Sequence, residues 1–107
     1  MNDEPPAFIS TVIENELTVV LQALGDPVRL AIVRELAESD PTPRACGTFR
    51  LGVSNSTLTH HFKVLREAGV IETRPEGHLR LNRLRREELD QRFPGLLDSV
   101  LRSPARV

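Results

Sequence analysis

A chain of 107 residues can bury one hydrophobic core but not two, so we expect a single domain over residues 1–107. Trp and Tyr are absent and there are four Phe, so the core must be built mainly from Leu, Val and Ile, which suits a helical fold. Cys46 is the sole cysteine. This excludes an intramolecular disulfide and leaves only His and carboxylates as ligands for a structural zinc ion.

The net charge of −1 conceals an uneven distribution along the chain. Residues 1–43 carry two basic and eight acidic side chains, whereas residues 44–107 carry twelve and seven. The second part is therefore the candidate for binding an anionic partner. Arginine supplies thirteen of the fourteen cations, which suits bidentate phosphate contact but equally reflects the codon bias of a GC-rich genome.

The N-terminal sequence MNDEPP has neither the basic nor the apolar region of a secretory signal. No stretch of the chain approaches the roughly 18 consecutive apolar residues that indicate a membrane span. We therefore expect a cytoplasmic protein with no membrane partner.

The first 52 residues predict two helices and a helical turn. Apolar residues at helical spacing predict a helix over residues 5–24. Asp26-Pro27 predicts the start of a second helix, which ends near residue 39, because Asp caps the free N–H groups and Pro loses no hydrogen bond in the first turn. SDPTPR is a loop, and ACGTFRL is a short helical turn ended by Gly52. The buried face of the second helix is predicted to carry Leu30, Val33, Leu36 and Ala37.

The next predicted helix begins at Ser54, a good N-cap, and Gly69 stops it after about Ala68. Val53 and Leu58 have the spacing of a hydrophobic staple. VIETR and LRLNRL then alternate apolar and polar residues on either side of Pro-Glu-Gly, which predicts a β-hairpin turning at that tripeptide. The tail is helical to about residue 102, with a break at Pro94-Gly95.

The helix that begins at Ser54 has one apolar side and one polar side. Leu58, Phe62 and Leu65 form the apolar stripe, and Ser56, Thr59, His60 and Lys63 lie opposite. A helix about 10 Å across fits a major groove about 12 Å wide, where hydroxyls, amides and cations reach base edges. With the helical turn before it and the hairpin after it, this helix indicates a winged helix-turn-helix, although an ordinary amphipathic surface helix would show the same stripes.

The segments LGDPVRLAIVRELAE and GVSNSTLTHHFKVLREAGVIETRPEGHLRLN, and the order of the elements, resemble the ArsR/SmtB family of winged-helix bacterial transcriptional regulators over about residues 17–101. The resemblance implies a mainly α fold with about five helices and a two-stranded wing. It also implies a homodimeric repressor that binds double-stranded DNA at an inverted-repeat operator and releases it when an effector binds. By position, it implies that the DNA-contacting residues are Ser54, Asn55, Ser56, Thr57, Thr59 and His60, with Arg74, His78 and Arg80 in the wing; Lys63 can reach guanine or phosphate.

Apolar residues at both ends of the chain predict a dimer interface formed by residues 1–25 and 85–102, which leaves residues 43–84 to bind DNA. More apolar area is present than one small domain needs, and two-fold symmetry would place two recognition helices about 34 Å apart. The same residues could instead close the core of a monomer. The predicted interface residues are Phe8, Val12, Val19, Leu96, Leu97, Val100 and Leu101.

The remaining chemistry-bearing residues predict neither a metal site nor a cofactor. Metal sensors of the family carry a Cys-x-Cys type of motif or His and Asp on the last helix; this chain has RACGTFRLG and LDQRFPGLLDSVL there. His60 and His61 point about 100° apart, so they do not readily share a metal, and His61 is expected at the core edge with a hydrogen bond. Cys46 could be a redox switch near a helix start or a small residue packed against the core.

No carboxylate pair, nucleophile-base spacing or phosphate-cradling glycine loop is present, so we expect no enzyme activity. The alternative to a DNA-binding regulator is a winged helix that docks onto another protein. An acidic or strongly apolar recognition face would favour that alternative, and the sequence shows neither. The sequence does not identify an effector.

Overall fold

The structure is a computed structural model that describes residues 16–104. This part of the chain contains five α-helices, one 3₁₀ turn and a three-stranded antiparallel sheet. In chain order the elements are α1 (residues 16–24), α2 (Pro27–Ser39), β1 (Arg44–Ala45), the 3₁₀ turn (Cys46–Thr48), α3 (Asn55–Glu67), β2 (Ile71–Glu76), β3 (Leu79–Leu84), α4 (Arg86–Arg92) and α5 (Leu96–Arg102). The predicted mainly α fold with a two-stranded wing is confirmed, and β1 is an addition to it. The predicted helix over residues 5–15 lies outside the described residues.

The corner between α1 and α2 is fixed by two side chains. Asp26 caps α2, because its Oδ2 accepts hydrogen bonds from the backbone N–H groups of Val28 at 2.9 Å and Arg29 at 3.1 Å. Arg29 closes the end of α1, because it donates from Nε to the carbonyl of Ala23 at 2.7 Å and from Nη2 to that of Gln22 at 3.1 Å. The predicted start of α2 is therefore confirmed in both position and chemistry.

One hydrophobic core joins all five helices and the sheet. The prediction for α2 is wrong in part: Ile32 is fully buried with Val33 and Leu36, whereas Leu30 and Ala37 are only half-buried. The buried face is rotated toward Ile32 because α2 packs against both α3 and β3. The buried apolar residues are Val20, Ala23, Leu24, Ile32, Val33, Leu36, Phe49, Leu58, Phe62, Leu65, Val70, Ile71, Leu84, Leu89 and Leu97.

The sheet has the strand order β1-β3-β2, and β2 and β3 form the wing. The turn of the hairpin is Gly77-His78, so the predicted Pro-Glu-Gly turn is wrong: the turn begins two residues later, at Gly77. Pro75 instead pairs with Arg80 inside the hairpin. A proline is tolerated there because β2 is an edge strand. Gly77 has φ 62°, which suits the positive φ of a two-residue hairpin turn.

The segment before α3 is less helical than predicted. Only the 3₁₀ turn is helical, and the residues before it form β1 and pair with β3. The helical turn therefore ends at Thr48 and not at Gly52. Gly52 lies within the following loop with φ 74°, a backbone conformation that L side chains rarely adopt. Ser54 then caps α3, because its Oγ accepts from the N–H of Thr57 at 3.2 Å.

The C-terminal tail breaks at Pro94-Gly95 as predicted. Leu97, assigned above to the dimer interface, is only 1% exposed and belongs to the core of the chain itself. A side chain with no accessible surface has none left to bury against a partner, so Leu97 is removed from that set. Leu96, Val100 and Leu101 are half-buried against the same core. No helix within residues 16–104 is long and apolar enough to cross a membrane.

Candidate nucleic-acid interface

The helix α3 presents its polar side to solvent. Four of its side chains are buried, Leu58, His61, Phe62 and Leu65, which confirms the predicted apolar stripe. The ten side chains predicted to contact DNA are all exposed: Ser54, Asn55, Ser56, Thr57, Thr59, His60, Lys63, Arg74, His78 and Arg80. Their exposure is thus confirmed, and their contact with DNA stays a prediction.

The N-terminus of α3 divides these residues into two groups. The hydroxyl of Ser54 accepts from the Thr57 N–H and donates to Thr57 Oγ1 at 2.9 Å, so both hydroxyls take part in the cap. Ser56 Oγ lies 3.2 Å from Ser54 Oγ and so contacts the cap, whereas Asn55 and Thr59 take no part in the hydrogen bonds that form it. The free N–H groups of the first turn, beside Asn55 and Ser56, favour an anion such as phosphate.

The two adjacent histidines have different surroundings. His60 is exposed, whereas His61 is buried between α3 and the start of α2. Arg29 Nη1 lies 3.2 Å from His61 Nδ1. Because Arg29 can only donate, this nitrogen of His61 is the acceptor of the contact. The expected hydrogen-bonded packing role of His61 is confirmed.

Asp26 Oδ2 lies 3.9 Å from the same His61 nitrogen. Burial by itself raises the pKa of Asp26. The backbone N–H groups of Arg29 and Val28, together with the nearby His61 and Arg29 side chains, outweigh that effect and hold the pKa of Asp26 below its usual value. The cap of α2 is therefore an ionised carboxylate at neutral pH.

The arginines of the wing lie on opposite faces of the hairpin. Residues that pair directly across two strands share a face, so Arg80 shares its face with Pro75, and the Thr73–Asn82 pair lies on that face too. Thr73 Oγ1 donates to the buried Asn82 Oδ1 at 2.8 Å, so this is the face toward the core and α3. Arg74 lies on the other face, where its Nη2 is 3.5 Å from Glu76 Oε1.

Most arginines of the described chain are occupied by partners within the protein. Seven form ion pairs with carboxylates: Arg44, Arg74, Arg83, Arg85, Arg86, Arg92 and Arg102. Arg29 and Arg34 donate to backbone carbonyls. The other four cations are exposed and form no ion pair within residues 16–104: Arg50, Lys63, Arg66 and Arg80. All four lie on α3, the loop before it or the wing, so the cationic surface coincides with the polar face of α3.

Arg44 and Arg50 lie on either side of the 3₁₀ turn, and their surroundings differ. Arg44 Nη1 donates to Glu35 Oε1 at 2.6 Å, and its guanidinium stacks on the Phe49 ring with 4.1 Å to the centroid. Arg50 donates only to the carbonyl of Gly47 at 2.9 Å and remains exposed. Arg44 is therefore a structural residue, and Arg50 is available to an external anion.

Arg66 is not among the residues predicted from the sequence to contact DNA. This residue follows Thr59 by seven positions and Lys63 by three, so the periodicity that selected those two also places Arg66 on the polar side. The structure adds that Arg66 faces the wing across a cleft of about 540 Å³. Thr59, Phe62 and Arg66 line the cleft from α3, Thr73 and Arg80 line it from the wing, and Cys46 lies at its base.

Cys46 is a half-buried free thiol. Its Sγ lies 3.1 Å from Nδ2 of Asn82, which is fully buried and also donates to the carbonyl of Arg44 at 3.2 Å. The thiol is thus held at the base of the wing and opens into the cleft. Within residues 16–104, no three His, Cys, Asp or Glu side chains group closely enough to hold a metal ion.

Comparison with known proteins agrees with this architecture. A helix-turn-helix domain model matches residues 24–74. The HTH-type transcriptional regulator YceK of Bacillus subtilis is 34% identical over 83 residues, which cover 76% of this chain and 82% of YceK. Among solved structures, the transcriptional repressor BigR from Xylella fastidiosa superposes with a TM-score of 0.63 at 30% identity, covering 81% of this chain and 84% of BigR.

A second solved structure, the ArsR-like transcriptional regulator from Rhodococcus sp. RHA1, superposes with a TM-score of 0.63 at 27% identity and covers 74% of each chain. The chain therefore belongs to the ArsR family of winged helix-turn-helix proteins and is a DNA-binding transcriptional regulator.

Proposed function

We propose that the chain is a homodimeric repressor that acts on DNA in the cytoplasm and reads an inverted-repeat operator with α3. One observation carries this proposal: the four exposed cations without an ion pair in residues 16–104 all surround the polar face of α3. A duplex presents a dense array of phosphates, and cations that have no internal partner can neutralise them without first breaking an ion pair.

Within this interface, different residues supply sequence choice and affinity. Asn55, Ser56, Thr59 and His60 are short or planar hydrogen-bonding groups that can reach base edges in the major groove. Lys63 and Arg50 flank them and would contact the phosphates, which add affinity for any sequence. His78 at the tip of the hairpin would reach the adjacent minor groove.

The dimer is supported by apolar side chains exposed on α1. Leu17, Val19 and Leu21 are 40%, 42% and 47% exposed, three large apolar residues on a described segment of nine. The half-buried Leu96, Val100 and Leu101 would extend this area. Phe8 and Val12, which were also predicted at the interface, lie outside the described residues. An isologous contact through α1 and α5 would pair the two polar faces of α3 for successive major grooves.

The test is selection of bound sequences from random duplex DNA, with the mass of the protein and of the complex measured in solution. The proposal expects an enriched sequence made of two inverted half-sites about one helical turn apart, bound by two copies of the chain. A protein that enriches no sequence and is retained only on a partner protein would contradict it. A single enriched half-site bound by one copy would contradict the dimer alone.

A further inference from the structure

The cleft between α3 and the wing is a concave feature whose occupant the roles above do not name. It measures about 540 Å³ and is open on one side. Its two walls carry guanidinium groups, Arg66 on α3 and Arg80 on β3, and Thr59 adds a hydroxyl. None of the described residues that line the cleft is acidic. The chemistry of the walls therefore suits an anion that enters from solvent.

Both polar and apolar side chains line the cleft. Phe62 is 2% exposed and Cys46 is half-buried, so little of either side chain faces the opening, whereas Leu79 on β3 is 44% exposed. A deoxyribose ring presents a matching small apolar surface between two phosphates. A free drug-sized ligand would need more apolar enclosure than this open cleft provides.

In a bound duplex, one sugar-phosphate strand would pass through the cleft. A helix in the major groove and a hairpin in the adjacent minor groove are separated by the single sugar-phosphate strand that divides the two grooves. The cleft is the space between those two elements. Arg80 faces it and Arg74 does not, because the two residues lie on opposite faces of the hairpin.

We propose that the cleft is a phosphate clamp: it holds the strand between the two grooves, with Arg66 and Arg80 donating to phosphate oxygens from opposite walls and Thr59 adding a hydrogen bond. This inference rests on the proposed function, because it assumes that α3 enters the major groove. It assigns Arg66 a role, gives Arg80 a contact to the dividing strand, and makes Thr59 a ligand of that strand instead of a reader of base edges.

The first experiment measures how binding of a random-sequence duplex depends on salt. Each phosphate contact contributes about −0.9 to the slope of log K against log salt concentration, so Arg66→Ala and Arg80→Ala should each reduce the slope by about one unit. Arg83→Ala removes the same charge from the other face of the same hairpin, at a residue outside the predicted DNA contacts, and should leave the slope unchanged. Arg66→Lys keeps the positive charge and should have the slope of the wild type. If Arg66 had only a structural role in the last turn of α3, neither Arg66→Ala nor Arg66→Lys would change the slope.

The second experiment uses Cys46 as a reporter inside the clamp. Because it is the sole cysteine, the rate of alkylation by N-ethylmaleimide reports the access of solvent to the base of the cleft. With duplex at ten times its Kd, alkylation should slow by about tenfold, since only the free protein reacts. The control variant, Cys46→Ser with Glu38→Cys, carries its thiol at an exposed position on α2 outside the cleft, and its alkylation should not respond to DNA.

The outcomes separate this inference from the function on which it rests. Protection of Cys46 together with the reduced slopes supports the clamp. Tight duplex binding with unprotected Cys46 and unchanged slopes overturns the clamp and leaves the regulator intact. Equal protection by inorganic phosphate at the same ionic strength overturns DNA as the occupant, because the cleft would then be a site for free anions. Absence of duplex binding overturns both proposals.

Discussion

The amide nitrogen of Asn82 lies 3.1 Å from the sulfur of Cys46 and joins the wing to the 3₁₀ turn that precedes α3. Asn82 is fully buried and makes three further contacts: it donates to the carbonyls of Arg44 at 3.2 Å and Arg80 at 3.4 Å, and it accepts from the Thr73 hydroxyl at 2.8 Å. The Asn82 side chain thus forms hydrogen bonds with groups on all three strands and fixes the position of the wing relative to α3.

Asn82→Ala should lower the free energy of unfolding by about 1 to 3 kcal/mol, because it leaves the half-buried Thr73 hydroxyl and Arg44 carbonyl without this partner. Urea denaturation measures this directly. Asn55→Ala is the matched control, since the same chemical change at an exposed position should cost less than about 0.5 kcal/mol. Equal stability of the two variants would show that the buried amide does not hold the sheet together.

Removing the Asp26 carboxylate should destabilise α2. Asp26→Ala loses the hydrogen bonds to two backbone N–H groups and should cost about 1 kcal/mol at neutral pH. Asn is also a good N-cap, so Asp26→Asn should retain most of that stability. Thermal unfolding of the three proteins checks the order, and an Ala variant as stable as the wild type would contradict the assigned cap.

The lowered pKa of Asp26 also predicts a pH dependence of stability. Between the folded pKa and the usual value near 4, the unfolded chain binds more protons at Asp26 than the folded chain does. The contribution of Asp26 is therefore complete above about pH 4 and is lost as the pH falls through the folded pKa. The stability difference between wild type and Asp26→Asn should shrink over this acidic range, and a difference that stays constant or grows would refute the ionised cap.

The dimer proposal predicts that a charge on the exposed face of α1 separates the protomers. Leu21 is 47% exposed, and Leu21→Glu would place a carboxylate in the apolar contact, so the mass in solution should fall to that of one chain. Leu79→Glu is the control, because Leu79 is equally apolar and 44% exposed but lies on the wing. That variant should remain dimeric, and a Leu21→Glu protein of unchanged mass would remove α1 from the interface.

Features set by neighbouring residues were predictable from the sequence. The caps at Asp26 and Ser54 and the break at Pro94-Gly95 depend on atoms within about four residues, so local chemistry determines them. The exposed polar side of α3 followed from the periodicity of apolar positions in the same way.

Features set by distant contacts were not predictable. β1 is two residues long and exists because Arg44 pairs with Asn82, 38 positions away. The hairpin turns at Gly77-His78 because β2 is an edge strand that tolerates Pro75, which only the assembled sheet reveals. Leu97 belongs to the core and Arg66 faces the wing for the same reason: both depend on elements far along the chain.

The central claim is that the exposed side of α3 reads base sequence, and the most direct test compares Asn55→Ala with the wild type on two duplexes, the one enriched by selection and one of random sequence. The account predicts that the variant loses about 1 to 3 kcal/mol of affinity for the enriched duplex and almost none for the random one. Losses of equal size on both duplexes would contradict it, because Asn55 would then contact only the phosphate backbone.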